Sequence, residues 1–242
     1  MRVAIFGDLH GNLPALTAAL SDLHTQAPDA LVCLGDVAMD GPWPGDCVDR
    51  IAALGCPVVR GNADRMLLEP PASFRARGFP DERALHDISE WSKTQLSTAQ
   101  RMLVSAYRAL VELPDLLCFH GSPERDTEEL GPATPRLRWD TLRAQHGTHL
   151  GWTGGHTHRA GHLQQNGWAY INPGSVGLPF EQRGDRYVNV ARAEYLLLDR
   201  SPDGWLPTFR RVPYALRDLQ RGMLASGMPH AGWLAAEWVS GT

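Results

Sequence analysis

Five short apolar segments of this chain each end at a side chain of a type that binds metals, and this feature constrains the fold most. The first segment, Val3 to Phe6, leads into Gly7-Asp8-Leu9-His10. Apolar runs of four or five β-favouring residues that stop at such a turn are typical of buried strands. The polar residues that end the four later segments are Asp36, Asn62, His120 and the pair His156 and His158.

Hydrophobic periodicity predicts that strands and helices alternate over the first 64 residues. Leucines at helical spacing indicate a helix over 13–26, and a second helix is expected over 46–54. Strands are predicted over 30–34 and 57–60. This alternation favours a parallel sheet with right-handed crossovers. Because ligands of such sheets bind beyond the carboxyl ends of the strands, we expect the polar residues to meet at one edge.

The rest of the chain predicts a cap insertion and a second group of strands. Residues 67–78 are expected to be irregular. Residues 81–110 have a helical pattern that breaks near Ser97-Thr98, where Ser97 and Gln100 form a capping box. This insertion is either a lid or a layer packed over one sheet face. Later strands joined by short turns are expected to pair antiparallel, and further elements are predicted at 116–119, 136–146 (helix), 150–153, 168–172, 187–198, 207–212 and 216–225 (helix). We expect a single domain over 1–242.

Composition excludes several classes of function. The net charge is −4 and there is no basic run, so a nucleic-acid partner is disfavoured. No apolar run approaches the ~20 residues of a membrane span. The four cysteines are scattered without a CxxC pair, and the first residues lack the features of a signal peptide. A cytoplasmic protein without a membrane partner is therefore expected.

The ligand types at the strand ends predict transition metals. Imidazoles and carboxylates without a thiolate favour Mn, Fe, Zn, Co or Ni over Ca or Mg. Seven ligands exceed the needs of one ion and suit two ions that share a carboxylate. Alternatively, Asp8 and His10 lie in a solvated turn that caps the first helix. The other six histidines are expected to be ordinary core or surface residues: His24, His86, His146, His149, His162 and His230.

Six motifs in a fixed order resemble those of the calcineurin-like metallophosphoesterase superfamily. They are Gly-Asp-x-His, Gly-Asp-x(4)-Gly-Pro-x-Pro, Gly-Asn-x-Asp, His-Gly-Ser-Pro, Gly-His-Thr-His and Asn-Pro-Gly-Ser-Val-Gly. The likeness extends from residue 3 to about residue 198 and is greatest to the small bacterial and archaeal phosphodiesterase-type branch. It implies an α/β protein built as a four-layer α/β/β/α sandwich of two mixed sheets.

The resemblance also implies a ligand set and a reaction. One metal would be bound by Asp8, His10 and His158, the other by Asn62, His120 and His156, and Asp36 would bridge them. A hydroxide between two divalent ions, most often Mn²⁺, would then attack a phosphate. Catalytic roles are implied for Asn62, His120 and Asp64, with Asn62 contacting the phosphate. The turn at 172–177 is expected to support the ligands.

One departure from the family pattern bears on the substrate. Many members have a histidine after Gly-Asn that protonates the leaving group, and here that position is Ala63. This favours phosphodiesters or nucleotide-type phosphoanhydrides, and hence a small phosphorylated substrate such as a nucleotide. The alternatives are a phosphomonoesterase or protein phosphatase, and a non-catalytic protein-binding scaffold that resembles the small subunit of the retromer coat.

Several further side chains are candidates for substrate or subunit contacts. Trp43 is placed to stack on a nucleobase or to serve as an apolar plug. Tryptophans near the C-terminus, Trp233 and Trp238, suggest an apolar surface for a homodimer. Arginines can bind substrate phosphates through two parallel hydrogen bonds. The four candidates are Arg60, Arg65, Arg183 and Arg186.

Overall fold

Two β-sheets lie face to face between two layers of helices in the computed structural model, which describes residues 1–78, 80–147, 149–165 and 167–241. The strands are β1 (Arg2–Phe6), β2 (Ala30–Cys33), β3 (Val111–Leu113), β4 (Leu116–Cys118), β5 (Gly151–Thr153), β6 (Gly161–Gln165), β7 (Trp168–Asn172), β8 (Phe180–Arg183), β9 (Arg186–Ser201), β10 (Gly204–Pro213) and β11 (Trp238–Ser240). The helices are α1 (Leu13–Gln26), α2 (Pro44–Leu54), α3 (Asn62–Leu68), α4 (Glu82–Thr94), α5 (Thr98–Ser105), α6 (Arg136–His146), α7 (Leu216–Ala225) and α8 (Ala231–Ala236). The four-layer α/β/β/α sandwich is confirmed.

Both sheets are mixed. The first has the order β10-β9-β1-β2, with β8 and β11 also paired to β9. In it β1 and β2 run parallel, as the βαβ pattern predicted, and β9 runs antiparallel to β1. The second sheet has the order β3-β4-β5-β7-β6, in which β4, β5 and β7 are parallel. The carboxyl ends of β1, β2, β4 and β5 therefore supply the turns that carry the polar residues.

The two faces of β1 belong to different parts of the core. Val3 and Ile5 are fully buried against the second sheet. Ala4 and Phe6 are fully buried on the opposite side, where α1 and α2 pack. This alternation follows from the two-residue period of a strand. Because both faces are covered, β1 is apolar from Val3 to Phe6, and only Arg2 at its start is charged and partly exposed.

The outer face of the second sheet packs on α6 through aromatic side chains. Phe119, at the end of β4, stacks on Tyr170 of β7 at a centroid distance of 6.2 Å. Trp139 of α6 is 5.0 Å from Tyr170 and 5.4 Å from Trp168. Such pairs stabilise a core beyond the area that they bury. This aromatic layer fixes the strand ends that lead to His120 and His156.

The segment after β2 differs from its prediction. The expected strand over 57–60 forms only two isolated parallel bridges, Cys33 with Val58 and Val59 with Arg108. Pro57 has no backbone N–H to donate, and the chain turns at Gly61 directly into α3, which was not predicted. The helical pattern predicted over 81–110 forms α4 and α5 with a break between them, and the capping box at Ser97 is present.

The C-terminal part contains elements that sequence periodicity missed. Strands β3, β6, β8 and β11 and helix α8 were not predicted, and β9 continues without a break through residues 192–193. Helices α7 and α8 pack with Ile88 of α4 in one apolar cluster. Trp238 is buried in this cluster and Trp233 is half-buried, and the homodimer stays a prediction. Trp43 fills the space beside Gly222, so it serves as the apolar plug.

Among the described residues, no helix combines the length and apolar character needed to cross a membrane.

Candidate metal centre

The backbone is strained at five of the seven predicted ligands. The φ angles of Asp8, His10, Asp36, His156 and His158 are 53°, 45°, 50°, 66° and 55°. This left-handed region is uncommon for residues with a Cβ. Each such residue costs about 1–3 kcal/mol, so the surrounding structure must hold it in place.

Hydrogen bonds between the turns stabilise this strained backbone. The N–H of Asp8 donates to the carbonyl of Gly35 at 2.8 Å, and the N–H of His10 donates to the carbonyl of Asp36 at 2.9 Å. The carbonyl of Asp8 accepts from the N–H of Gly177 at 2.9 Å and from the hydroxyl of Ser175 at 2.8 Å. The turns after β1 and β2 and the 172–177 segment are thus joined into one unit.

A first cluster contains Asp8, His10 and His158, whose ligand atoms all lie within 4.8 Å of one another. The Nε2 atoms of the two histidines are 3.1 Å apart. The Nε2 atom of His158 is 3.4 Å from Oδ1 of Asp8. Two ligand atoms ~2.1 Å from one ion are separated by about 3 Å, so this geometry fits a shared cation.

A second cluster contains Asp36, His120 and His156 in the same arrangement. The Nε2 atom of His120 is 3.2 Å from Oδ2 of Asp36 and 3.1 Å from Oδ1 of Asn62. The rings of His120 and His156 are 5.3 Å apart. The structure therefore brings all seven predicted ligands together where the strand ends of the two sheets meet, as two adjoining groups.

Asp36 belongs to the second cluster and also approaches the first. Its Oδ2 atom is 3.2 Å from Nε2 of His120 and 3.8 Å from Nε2 of His10. Its other oxygen, Oδ1, accepts the N–H of Ala63 at 2.8 Å. Gly61 makes this contact possible, because a Cβ there would lie 2.0 Å from Oδ1 of Asp36. A carboxylate in this position is the one that two cations would share.

Backbone carbonyls determine which histidine nitrogen faces each cluster. The Nδ1 atom of His120 lies 2.8 Å from the carbonyl oxygen of Leu34, and Nδ1 of His158 lies 2.9 Å from that of Leu178. A carbonyl only accepts hydrogen bonds, so Nδ1 carries the proton. The Nε2 lone pair is then free for a cation. The residues present fit two metal ions.

Without metal ions, the carboxylates of the centre raise the pKa values of His10 and His120 and so favour the protonated imidazoles. Burial lowers the pKa of His10, but the hydrogen bond that its ring donates to Asp40 and the charge of Asp36 outweigh it and raise the pKa to about 9. For His120 burial is likewise outweighed, chiefly by the charge of Asp36, and the pKa rises to about 10. Burial raises the pKa of Asp8, but the charge and the hydrogen bond of His158 together with the charge of His120 outweigh it, so the pKa is lowered. Metal binding must displace these protons.

Asp64 is fully buried and supports the turn that holds Asp36. Its carboxylate accepts three backbone N–H groups, from Asp36 at 2.8 Å, Val37 at 2.9 Å and Gly61 at 2.9 Å. Burial, and then the charge of Asp36, raise its pKa to about 6. These contacts give Asp64 a positioning role in the turn, and the catalytic role that the resemblance implies stays a prediction.

The four candidate arginines fall into two groups. Arg60 and Arg65 line a cavity of about 300 Å³ that reaches His120. Arg65 is held by Asp126 at 2.7 Å, and Nε of Arg60 is buried with no hydrogen-bond partner among the described residues. Arg183 and Arg186 face each other across the exposed end of the β8–β9 hairpin. The structure therefore brings only the first two close to a ligand.

Two contributors to the centre escaped the sequence analysis. Asp40 lies 3.5 Å from Nδ1 of His10 and accepts the hydroxyl of Ser89 at 2.7 Å. Asp40 directly precedes Gly41-Pro42 within the Gly-Asp-x(4)-Gly-Pro-x-Pro motif, and this position could have indicated that it lies near the centre. The second is a cavity of about 670 Å³ that opens beside His156 and His158. Its loop, residues 128–135, reads Glu-Glu-Leu-Gly-Pro-Ala-Thr-Pro and contains none of the six motifs.

Comparison with known proteins agrees with this geometry. A model of the calcineurin-like phosphoesterase superfamily domain matches residues 1–194, which is most of the chain. A stretch of 62 residues is 40% identical to the uncharacterized protein MJ0912 of Methanocaldococcus jannaschii. That match covers 26% of the chain and 26% of the length of that curated relative.

Two solved structures share the fold over nearly their whole length. A metallophosphoesterase from Sphaerobacter thermophilus is 28% identical, covers 98% of this chain and 99% of its own, and has a TM-score of 0.71. The hypothetical protein PH1004 from Pyrococcus horikoshii OT3 is 18% identical, covers 96% and 97%, and has a TM-score of 0.78. The second likeness concerns the fold alone.

Proposed function

Since this chain belongs to the calcineurin-like phosphoesterase superfamily, we propose that it hydrolyses a phosphodiester or a nucleotide-type phosphoanhydride with two divalent transition-metal ions. Mn²⁺ is the first candidate, and Fe, Zn, Co and Ni suit the same ligands. The observation that carries this proposal is the meeting of two carboxylate–histidine clusters at Asp36.

Seven side chains would hold the ions: Asp8, His10, Asp36, Asn62, His120, His156 and His158. When bound, two such ions neutralise phosphate charge and make water at the site more acidic. The carbonyls behind His120 and His158 keep their Nε2 atoms directed at the clusters, and burial of Asp8 and Asp36 keeps water from competing for them. The protein therefore supplies a preset ligand geometry.

Asn62 is the neutral member of the set. Its Oδ1 atom lies 3.1 Å from Nε2 of His120, which leaves the amide N–H₂ group to donate to a phosphate oxygen. Arg60 would add a second donor from the adjoining 300 Å³ cavity, because its buried Nε has no partner among the described residues. Arg65, already paired with Asp126, would contribute mainly by holding the cavity wall.

The residue after Asn62 determines which esters we expect to react. Ala63 is buried, with 3% of its surface exposed, and its N–H is used by Asp36. No imidazole from this position can protonate a leaving group. Diesters and phosphoanhydrides with stable leaving groups need this proton less than alkyl monoesters do. The proposal therefore places diesters ahead of monoesters.

The test is hydrolysis of bis(4-nitrophenyl) phosphate and of 4-nitrophenyl phosphate with Mn²⁺ and after chelation. We expect faster turnover of the diester, loss of turnover on chelation, and loss in His158→Ala. His24→Ala, at an exposed position at the end of α1, is the matched control and should keep full activity.

Other outcomes would contradict the proposal in distinct ways. Faster turnover of the monoester would favour a phosphomonoesterase, in which another group replaces the missing histidine. Lack of turnover with every divalent metal tried would favour a protein-binding scaffold. Equal turnover in His158→Ala would exclude the first cluster from the reaction.

A further inference from the structure

The cavity beside His156 and His158 begins at the metal centre. It has a volume of about 670 Å³, and His156 and His158 form one end of it. Small-molecule sites have volumes of roughly 300–1,000 Å³. A phosphate held at the clusters fills little of this space, so the rest is available to another part of the same substrate.

The side of the cavity formed by the second sheet is apolar and firmly held. Leu163 of β6 pairs directly with Tyr170 of β7, and both side chains lie on the α6 face of the sheet. Leu130, from the opposing loop, is 3% exposed and belongs to the same apolar cluster. This part of the wall is preformed, which lowers the cost of ordering on binding.

Two of the charged groups that line the cavity, Arg138 and Glu128, neutralise each other. Arg138 donates to Glu128 at 2.7 Å, and through Nη2 it also contacts Glu124 at 2.5 Å. This network leaves Arg138 with little charge to offer a ligand. Near the other wall, the guanidinium of Arg159 lies over the ring of Phe180 at 5.3 Å. A flat cation on an aromatic face presents a surface suited to another ring.

We propose that this cavity binds an aromatic ester group of the substrate, of the size of a phenyl ring or a nucleobase, while the phosphate lies at the metal clusters. This inference rests on the proposed function, which it extends by assigning a place to the ester group. Leu130, Leu163 and Phe180 supply apolar contact, and Arg159 supplies a stacking face. Substrates with small alkyl groups leave the cavity unfilled.

Calorimetric binding of two phosphonates to the Mn²⁺-loaded protein tests the cavity without turnover. Phenylphosphonate and methylphosphonate share the phosphonate group and differ only in the group that would enter the cavity. We expect phenylphosphonate to bind about tenfold more tightly, because it buries a ring. Equal affinity of the two compounds would overturn the inference.

A filling variant identifies the cavity as the source of this preference. Ala133 lines the cavity and is exposed, so Ala133→Trp adds a ring there without disturbing the core. We expect the preference for phenylphosphonate to disappear in Ala133→Trp, while methylphosphonate binds as before. Ala76→Trp, on an exposed loop that lines none of the described cavities, should keep the preference. An unchanged preference in Ala133→Trp would overturn the inference.

Kinetics then separate this inference from the proposed function. Bis(4-nitrophenyl) phosphate and methyl 4-nitrophenyl phosphate release the same nitrophenolate. If Ala133→Trp raises the KM of bis(4-nitrophenyl) phosphate alone, the cavity holds the group that stays on phosphorus. If the variant raises the KM of both substrates, the cavity holds the leaving group. If the Ala133→Trp variant is active and its KM values are unchanged, the inference about the cavity is wrong and the proposed function is not affected. Preferential phenylphosphonate binding without hydrolysis of any ester contradicts the proposed function alone.

Discussion

The Nε2 atoms of His10 and His158 lie 3.1 Å apart, although 148 positions separate the two residues in the chain. Each ring is anchored on its far side by a backbone carbonyl, that of Met39 for His10 and that of Leu178 for His158. Backbone from four segments of the chain thus fixes one ligand pair. The ligand geometry is a property of the fold rather than of mobile side chains.

Asp36→Asn should remove the carboxylate charge shared by the two clusters. The amide has nearly the same shape but lacks the negative charge, and its N–H₂ group opposes the cations. We expect metal affinity to fall by about 100-fold or more, and the bound metal to fall from two ions per chain to one or none. Elemental analysis after dialysis and calorimetry measure both quantities. Asp203→Asn, at an exposed turn, is the matched control; two tightly held ions in Asp36→Asn would contradict a shared role.

Asp64→Asn distinguishes positioning from catalysis. Three backbone N–H groups donate to this carboxylate, and an amide would turn a donor toward one of them. We expect a loss of roughly 1–3 kcal/mol in the free energy of unfolding, together with weaker metal binding. Urea denaturation and calorimetry test this. A variant with normal stability and metal content that has lost only turnover would instead assign Asp64 a catalytic role.

Gly177→Ala tests the close packing behind the first cluster. A Cβ at this position would lie 1.7 Å from the carbonyl oxygen of Leu9, between the two ligands of that turn. The turn must move, which we expect to cost about 1–3 kcal/mol in stability and tenfold to roughly 100-fold in metal affinity. In Gly232→Ala nothing lies within 4 Å of the new Cβ, so this control should bind metal normally. Equal metal binding in both variants would refute the argument.

Glu128 should give the protein an acid-sensitive contribution to stability. Its hydrogen bond with Arg138 lowers its pKa from 4.5 to about 2, and its side chain is 11% exposed. Because the folded pKa is the lower one, the contribution is complete above pH 4.5 and is lost as pH falls through about 2. The stability difference between the wild type and Glu128→Gln should shrink over this range. A difference that does not change with pH would contradict the ion pair as its source.

The sequence predicted the ligand turns well because each follows from local rules. Buried strands that stop at a turn place Asp8 and Asp36 at the carboxyl edge of the first sheet, and His120 follows β4 of the second sheet in the same way. The donor atoms of each ligand, imidazole nitrogen or carboxylate oxygen, follow directly from the residue type. Breaks such as that before Thr98 are encoded locally by a capping box.

What the sequence did not predict depends on contacts between distant segments. Residues 57–60 have the composition of a strand, but their only ladder contacts are single bridges to Cys33 and Arg108. Strands β6 and β8 are short, and pairing with β7 and β9 rather than their own pattern defines them. The burial of Asp64 and the cavity beside His158 arise from the assembled turns. The hydrophobic periodicity of the sequence predicts neither the burial of Asp64 nor the cavity, because both depend on tertiary contacts.

Strand β9 sets the order in which this centre can form. It lies beside β1, with Val3 opposite Leu198 and Ile5 opposite Leu196, almost two hundred positions away. Closing a loop of that length is entropically costly, so β1 gains this neighbour only after β9 (Arg186–Ser201) has been synthesised. Until then the Asp8–His10 turn has no fixed neighbour on one side. Metal capture is therefore expected to be post-translational, and premature termination near residue 190 should give a chain that cannot retain the ions.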